Sequence, residues 1–299
     1  MGSFNFRPSN KIGAAPPFLL ENPVKKTLIA ALLAAAANYA NAGTVLVVLS
    51  DQAQLDLKDG QVMQTGFFLN ELMQPVQTFI ESGQTVVFAT PGGKAPTADQ
   101  KSNDVSFWGG DEKARQQSLA LLATLKLTSK TDSPAISFAQ VQKIGYDKFD
   151  AVFVPGGHIP MQDLLKDKQL GQLLTHFHDK GKVTGFTCHG TIAMLSAIPD
   201  ARGFVSALES GKQPTAPANW IYKGYNVTAF TDAEEEQAKG FLGGGHMKLF
   251  PQDGLTAAGA KFSEAKPWSE HVIEDREVIS GQNPQSAKAV AVAMLAKMK

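Results

Sequence analysis

Cys188 is the single cysteine of a 299-residue chain, and its neighbours define the chemistry open to it. It stands in Lys182-Val183-Thr184-Gly185-Phe186-Thr187-Cys188-His189-Gly190-Thr191-Ile192-Ala193-Met194-Leu195. The first half reads as a short buried strand, the second as the start of an apolar helix. A side chain at such a junction rides on a sharp turn, with its sulfur at the positive end of the helix. That field favours thiolate over thiol, the form that attacks carbon. His189 is then a candidate base. A buried structural cysteine beside a helix-capping histidine is the bland reading of the same residues.

Strands and helices in alternation must hold this turn. Thr44-Val45-Leu46-Val47-Val48-Leu49 is a continuous apolar run, as in a strand covered on both faces. Gly66 to Ser82 has helical spacing, with Gly83 just past its end. Thr85 to Ala89 reads as a second strand, and Ala151-Val152-Phe153-Val154 as a third that ends in Pro155-Gly156-Gly157-His158. Leu170, Leu173, Leu174 and Phe177 fall on one helix face. Tyr225 to Phe230 and Val278 to Ser280 read as strands, and Gln285 to Lys297 as a closing helix. This order predicts a single α/β domain with a doubly wound, mostly parallel sheet flanked by helices. Ligands bind such sheets at the carboxyl ends of the strands. Cys188, Gly156, Gly157 and the segment after Phe230 all belong there.

Composition narrows the classes of function. Lys+Arg and Asp+Glu both number 28, a formal net charge of zero, which gives no steering toward nucleic acid or anionic membrane. Lys25-Lys26, the apolar run Thr27 to Ala37, and Ala40-Asn41-Ala42 have the build of a secretory signal peptide over 24–42, cleaved after Ala42. Residues 1–23 are an atypical leader or a vector-derived remnant. Residues 43–299 then form the α/β domain, with a polar insertion around 94–134 and one helix-like stretch, Asp111 to Leu125. The expected location is periplasmic or secreted. One cysteine leaves no disulfide within the chain.

Five stretches, in order, carry a resemblance. Asp150 to His158 followed by Thr187-Cys188-His189-Gly190 looks like the PfpI/ThiJ superfamily, of the class I glutamine amidotransferase-like (flavodoxin-like) fold. Gly66 to Pro75 resembles the helix that brings a carboxylate to the thiol. Ala229 to Glu235 resembles the segment of a triad acid, and Gly281 to Ala287 the closing motif. The nearest branch is the glutathione-independent glyoxalase III and heat-shock chaperone group. Phe186 stands where relatives have a small residue, and Thr191 where many have proline.

The resemblance implies a glyoxalase III-like lyase that turns methylglyoxal or related 2-oxoaldehydes into 2-hydroxy acids through a cysteine hemithioacetal. Cys188 would be the nucleophile, Glu71 the proton-transfer acid beside it, and His189 the base. Glu235 would orient that base, with Asp232 and Glu234 as alternatives within three residues. Gly156 and Gly157 would offer amides to an oxyanion, and His158 would line the pocket. A cysteine peptidase or amidase with the same Cys-His pair is the runner-up, then a holdase chaperone or thiol stress sensor. No cofactor and no metal is expected; His176 and His178 are two apart and diverge on a helix. The expected partners are a small aldehyde and a second copy in a homodimer, without nucleic acid or stable membrane contact.

Overall fold

The computed structural model describes residues 43–298; the expected leader and signal segments at 1–23 and 24–42 lie outside the described residues. The chain opens with β1 (Thr44–Val48), a hairpin of β2 (Gln54–Asp56) and β3 (Val62–Gln64), and α1 (Leu69–Glu81). Then come β4 (Thr85–Thr90), α2 (Glu112–Leu125), β5 (Ile136–Ser137), α3 (Phe138–Ile144), β6 (Ala151–Val154), α4 (Lys168–Lys180) and β7 (Val183–Thr187). The remainder holds α5 (Ala201–Glu209), β8 (Asn226–Val227), α6 (Asp232–Ala238), α7 (Pro251–Ala258), β9 (Lys261–Phe262), β10 (Val272–Asp275), β11 (Val278–Gly281) and α8 (Ala287–Lys297).

Seven strands form one sheet in the order β10-β11-β7-β6-β1-β4-β5. All neighbours pair in parallel except β10 with β11. The chain winds outward from β1 through β4 to β5, then returns to β6 and winds the other way. The order therefore reverses between β1 and β6, where open α/β sheets leave a crevice. The period of two sorts strand residues onto two cores. Val45 and Val47 face α1 and α8, together with Phe153 and Ile279. Leu46, Val48, Val152, Val154 and Phe186 face α4 and the turns after Cys188. Both faces being covered, the strands read as unbroken apolar runs.

α1 lies on the sheet through Leu69, Leu72, Met73, Val76 and Phe79, all buried. Its first turn also buries two polar residues, Asn70 and Glu71. Pro75 has no N–H to give, so the Glu71 carbonyl lacks its usual helical donor. The polar stretch 94–134 contributes Trp108 and Leu122 to the core against α1. Asp111 caps α2 there, accepting from the Ala114 N–H at 3.0 Å.

Two expectations need correction. Only Asn226–Val227 of the expected strand Tyr225 to Phe230 is extended, and it pairs with Lys261–Phe262 outside the main sheet. The Thr228 N–H, on the side of this strand facing away from Lys261–Phe262, is taken by Ser280 Oγ at 3.0 Å. The expected apolar helix after Cys188 is a run of 3₁₀ turns, Cys188–Ala197. Gly190, Thr191 and Ile192 at its start are weak α-helix formers. The residue pattern carries no strand signal for β10 or for the hairpin of β2 with β3.

Candidate active site

Cys188 ends β7 on a left-handed turn with φ 56, a conformation that costs a non-glycine residue strain. The neighbouring strand β6 runs out into Gly156 and Gly157 beside it. The start of α1 docks on the same turn. The Phe68 N–H donates to the Gly156 carbonyl at 3.1 Å, and the Leu69 N–H to Ser102 Oγ at 2.9 Å. That brings Glu71 over the thiol. A Cβ on Gly156 would stand 2.2 Å from Glu71 Oε2 and 2.7 Å from Cys188 Cβ, so glycine leaves the gap in which acid and sulfur meet. Gly157 takes φ 94 and lies so close to Gly66 and Phe68 that a side chain would strike their backbone.

Cys188, at 3% exposed, is buried but not sealed. Its Sγ lies 3.2 Å from His189 Nδ1. His189 Nε2 lies 2.9 Å from Glu235 Oε1 on the far side of the ring. The imidazole is held between His158, at 4.3 Å, and Phe230, stacked at 4.7 Å. Packed this way, the His189 cation is disfavoured and its pKa falls to about 3; burial likewise lifts Glu235 to about 7.

Burial also raises Glu71, to about 8; the Cys188 thiol and the Gly156 N–H pull it partway back. Both groups face the carboxyl, yet neither Glu71 oxygen completes a well-formed hydrogen bond. Burial, and then the Glu71 charge, push the Cys188 thiol well above its ordinary range, while the His189 N–H draws it down. The expected thiolate at a helix terminus is thus corrected. There is no α-helix to supply the field, and the sulfur and carboxyl share a buried pocket that admits one negative charge between them.

The three acids after Phe230 part company. Glu235 faces His189. Glu234 turns away and closes a capping box with Thr231 at the start of α6. It also accepts from the Trp268 N–H at 2.8 Å, Asn283 Nδ2 at 2.8 Å and Gln282 Nε2 at 3.1 Å. Asp232 receives no such contacts; its own N–H donates to Gln252 Oε1 at 2.9 Å. The closing motif, Gln282 and Asn283, thus anchors the helix that carries Glu235.

His158 is buried, and neither ring nitrogen has a hydrogen-bond partner among the described residues. It touches His189, so it lines the site instead of lying exposed on a loop. Ligand atoms of His158, His189 and Glu235 lie within 4.8 Å of one another, close enough for a metal to bridge, although His189 and Glu235 already engage each other. His176 and His178 go separate ways, to Asp147 at 2.9 Å and Glu277 at 2.8 Å. The Gly156 N–H faces the Glu71 carboxyl and the His189 N–H faces the sulfur.

Sequence reading missed the aromatic surroundings. Cys188, Phe230 and Ala238 form one apolar cluster, flanked by Phe241 and Trp268. Phe230 precedes α6, Ala238 closes it, Phe241 follows it and Trp268 lies before β10, so no local pattern marks them as a group. A groove of about 1170 Å³ near Lys58, Lys212 and Lys248 is built from other segments.

Known proteins share this arrangement of elements. A family described as ThiJ/PfpI family-like matches residues 62–229. A protein of Schizosaccharomyces pombe named glutathione-independent glyoxalase is 30% identical over 263 residues, 86% of this chain and 96% of that one. A Bos taurus protein named glutamine amidotransferase-like class 1 domain-containing protein 1 is 29% identical over 148 residues, 50% of this chain. That match spans 59% of the bovine protein. The crystal structure of glyoxalase III from Candida albicans superposes with a TM-score of 0.62 at 22% identity, covering 86% of this chain and 98% of that one; this likeness shows the fold alone.

Proposed function

The chain belongs to the ThiJ/PfpI family, and from that premise we propose that it is a glutathione-independent glyoxalase of the glyoxalase III kind, acting on small 2-oxoaldehydes. One observation carries the reading: a fully buried carboxyl, Glu71, faces the only thiol of the chain, and burial keeps a proton available between them. The relative named glutathione-independent glyoxalase supports it.

The reactive form is the pair with one proton and one charge. With the proton on Glu71, the Cys188 thiolate attacks the aldehyde carbon. The carbonyl π pair moves to oxygen, and Glu71 gives its proton to that oxygen, leaving a hemithioacetal. Glu71, now a carboxylate, removes the hydrogen of the former aldehyde carbon as a proton. The C–H pair forms a carbon–carbon double bond, the ketone π pair moves to its oxygen, and His189 relays the proton of the first hydroxyl to that oxygen, leaving an enediolate. The proton on Glu71 then goes to the second carbon as the first oxygen's pair re-forms a carbonyl. The product of this stage is a 2-hydroxyacyl thioester on Cys188. Water attacks the thioester and gives a proton to His189, whose second nitrogen is held by Glu235. Sulfur leaves, and the net reaction adds one water to a 2-oxoaldehyde to give a 2-hydroxy acid. No redox partner is needed.

The Cys188-His189-Glu235 line, with contacts of 3.2 and 2.9 Å, also supports the second reading, a cysteine peptidase or amidase. Such an enzyme needs no buried acid at the sulfur, so Glu71 favours the first. Incubating the protein with methylglyoxal, without glutathione, and measuring lactate tests the choice. The glyoxalase reading expects lactate; release of amine from a peptide panel with no lactate would replace it by the second.

A further inference from the structure

Three rings from three distant segments converge at the mouth of the site. Phe107 comes from the polar stretch before α2, Phe241 from the turn after α6, and Trp268 from the loop before β10. With neutral Ser106, Gln237 and Gln285 they line an open crevice of about 520 Å³. Phe241 and Trp268 also pack against the cluster that contains Cys188, so two walls of the crevice reach the thiol's apolar surroundings.

The walls are anchored. Trp268 holds a left-handed backbone, φ 63. Its N–H is bound by buried Glu234 at 2.8 Å, and its indole Nε1 donates to Gln237 at 2.6 Å. Its ring meets Phe230 edge-on at 5.5 Å, and Phe230 in turn stacks on His189. Phe107 meets Phe68 edge-on at 4.7 Å, and its carbonyl accepts from buried Asn70 at 3.1 Å. Lys101 binds the Phe241 carbonyl and lies 5.6 Å over its ring. Strained or polar anchors on every wall mark a pocket formed before its occupant arrives.

Such a volume lies within the usual range of small-molecule sites, far beyond the few atoms of methylglyoxal. Lys101, beside the Phe241 wall, is already engaged by the Phe241 carbonyl, and the lining itself holds no charged side chain, which disfavours a charged side group. Resting on the glyoxalase reading above, we propose that the preferred substrate is a neutral 2-oxoaldehyde with an aromatic side group, seated between Phe107, Phe241 and Trp268 while its aldehyde reaches Cys188. Edge and face contacts with rings discriminate such a group from a methyl.

The test compares phenylglyoxal with methylglyoxal on the full chain. Wild type should favour phenylglyoxal in kcat/KM by about tenfold or more, chiefly through a lower KM. Trp268→Ala and Phe241→Ala should each lower the phenylglyoxal-to-methylglyoxal ratio by about tenfold. Methylglyoxal turnover that depends on Cys188 but shows no aryl preference, or a ratio unmoved by both variants, overturns this inference and leaves the glyoxalase reading standing. Acetophenone, an unreactive aryl ketone, tests the crevice without turnover. Saturable binding that weakens in both variants supports it, and no saturable binding overturns it. Turnover of neither aldehyde overturns the reading beneath.

Discussion

Glu71 occupies the space that a side chain on Gly156 would need: Oε2 lies 2.2 Å from the ideal Cβ position. Acid and glycine therefore form one unit, and the glycine is required by contact, not by an unusual φ. Gly156→Ala should push the carboxyl off the sulfur or shift the Cys188 turn. Displacing a catalytic group by about an ångström commonly costs about a hundredfold, and kcat/KM for methylglyoxal should fall by at least about that much. Thermal unfolding should show a loss of about 1–3 kcal/mol from overpacking. Wild-type rate in this variant would mean that Glu71 has no part in the reaction.

Glu71→Gln separates stability from activity. Burial raises the Glu71 pKa from 4.5 to about 8. Between those values the folded state holds a proton that the unfolded state has released, so stability falls as pH rises through the window. A neutral glutamine removes that cost. The variant should be inactive yet more stable than wild type, by about 1–3 kcal/mol at pH 7, with the difference growing toward pH 8 and fading toward pH 5. Unfolding curves at three pH values check the sign; a variant less stable at every pH would contradict it.

The two adjacent acids should behave differently. Glu235→Gln breaks the hold on His189 Nε2 with little change in packing, so kcat should drop by about 10³-fold at nearly native Tm. Glu234→Gln places a donor amide among the donors of Thr231, Trp268, Gln282 and Asn283. It should cost about 2–4 kcal/mol of stability. Activity and Tm measured side by side decide whether the roles are divided this way.

The pH profile follows from the same groups. The reactive pair carries one charge, which appears as the first proton leaves the Cys188-Glu71 pair near 8, and Glu235 ionises near 7. kcat/KM should rise from pH 6 and level off above about 8. A rate that falls steadily over pH 6 to 8 would contradict the assignment.

Much of this was legible in the residues. The apolar runs at Thr44, Thr85, Ala151 and Lys182 are strands covered on both faces, and helices with one apolar stripe separate them. The strand-turn placement of Cys188 and of Gly156-Gly157 follows from that order, because both leave the carboxyl ends of neighbouring strands. The segment after Cys188 is not decided by its sequence, because an apolar run is equally compatible with an α-helix and with 3₁₀ turns, and the charge of the thiol depends on which forms. The division of labour among Asp232, Glu234 and Glu235 was not legible, since a one-residue step along a helix decides which carboxylate faces His189. The mouth of Phe107, Phe241 and Trp268 was invisible for a different reason: its walls are brought together only by tertiary contacts, and the left-handed backbone of Trp268 leaves no trace in composition.

The most direct measurement is intact-mass analysis of acid-quenched protein after brief exposure to methylglyoxal. Wild type, and more so Glu71→Gln, should carry one aldehyde equivalent on the peptide that contains Cys188, with lactate formed by wild type alone. Cys188→Ala should carry no adduct at that position and form no lactate. Lactate produced at the wild-type rate by Cys188→Ala would contradict the account.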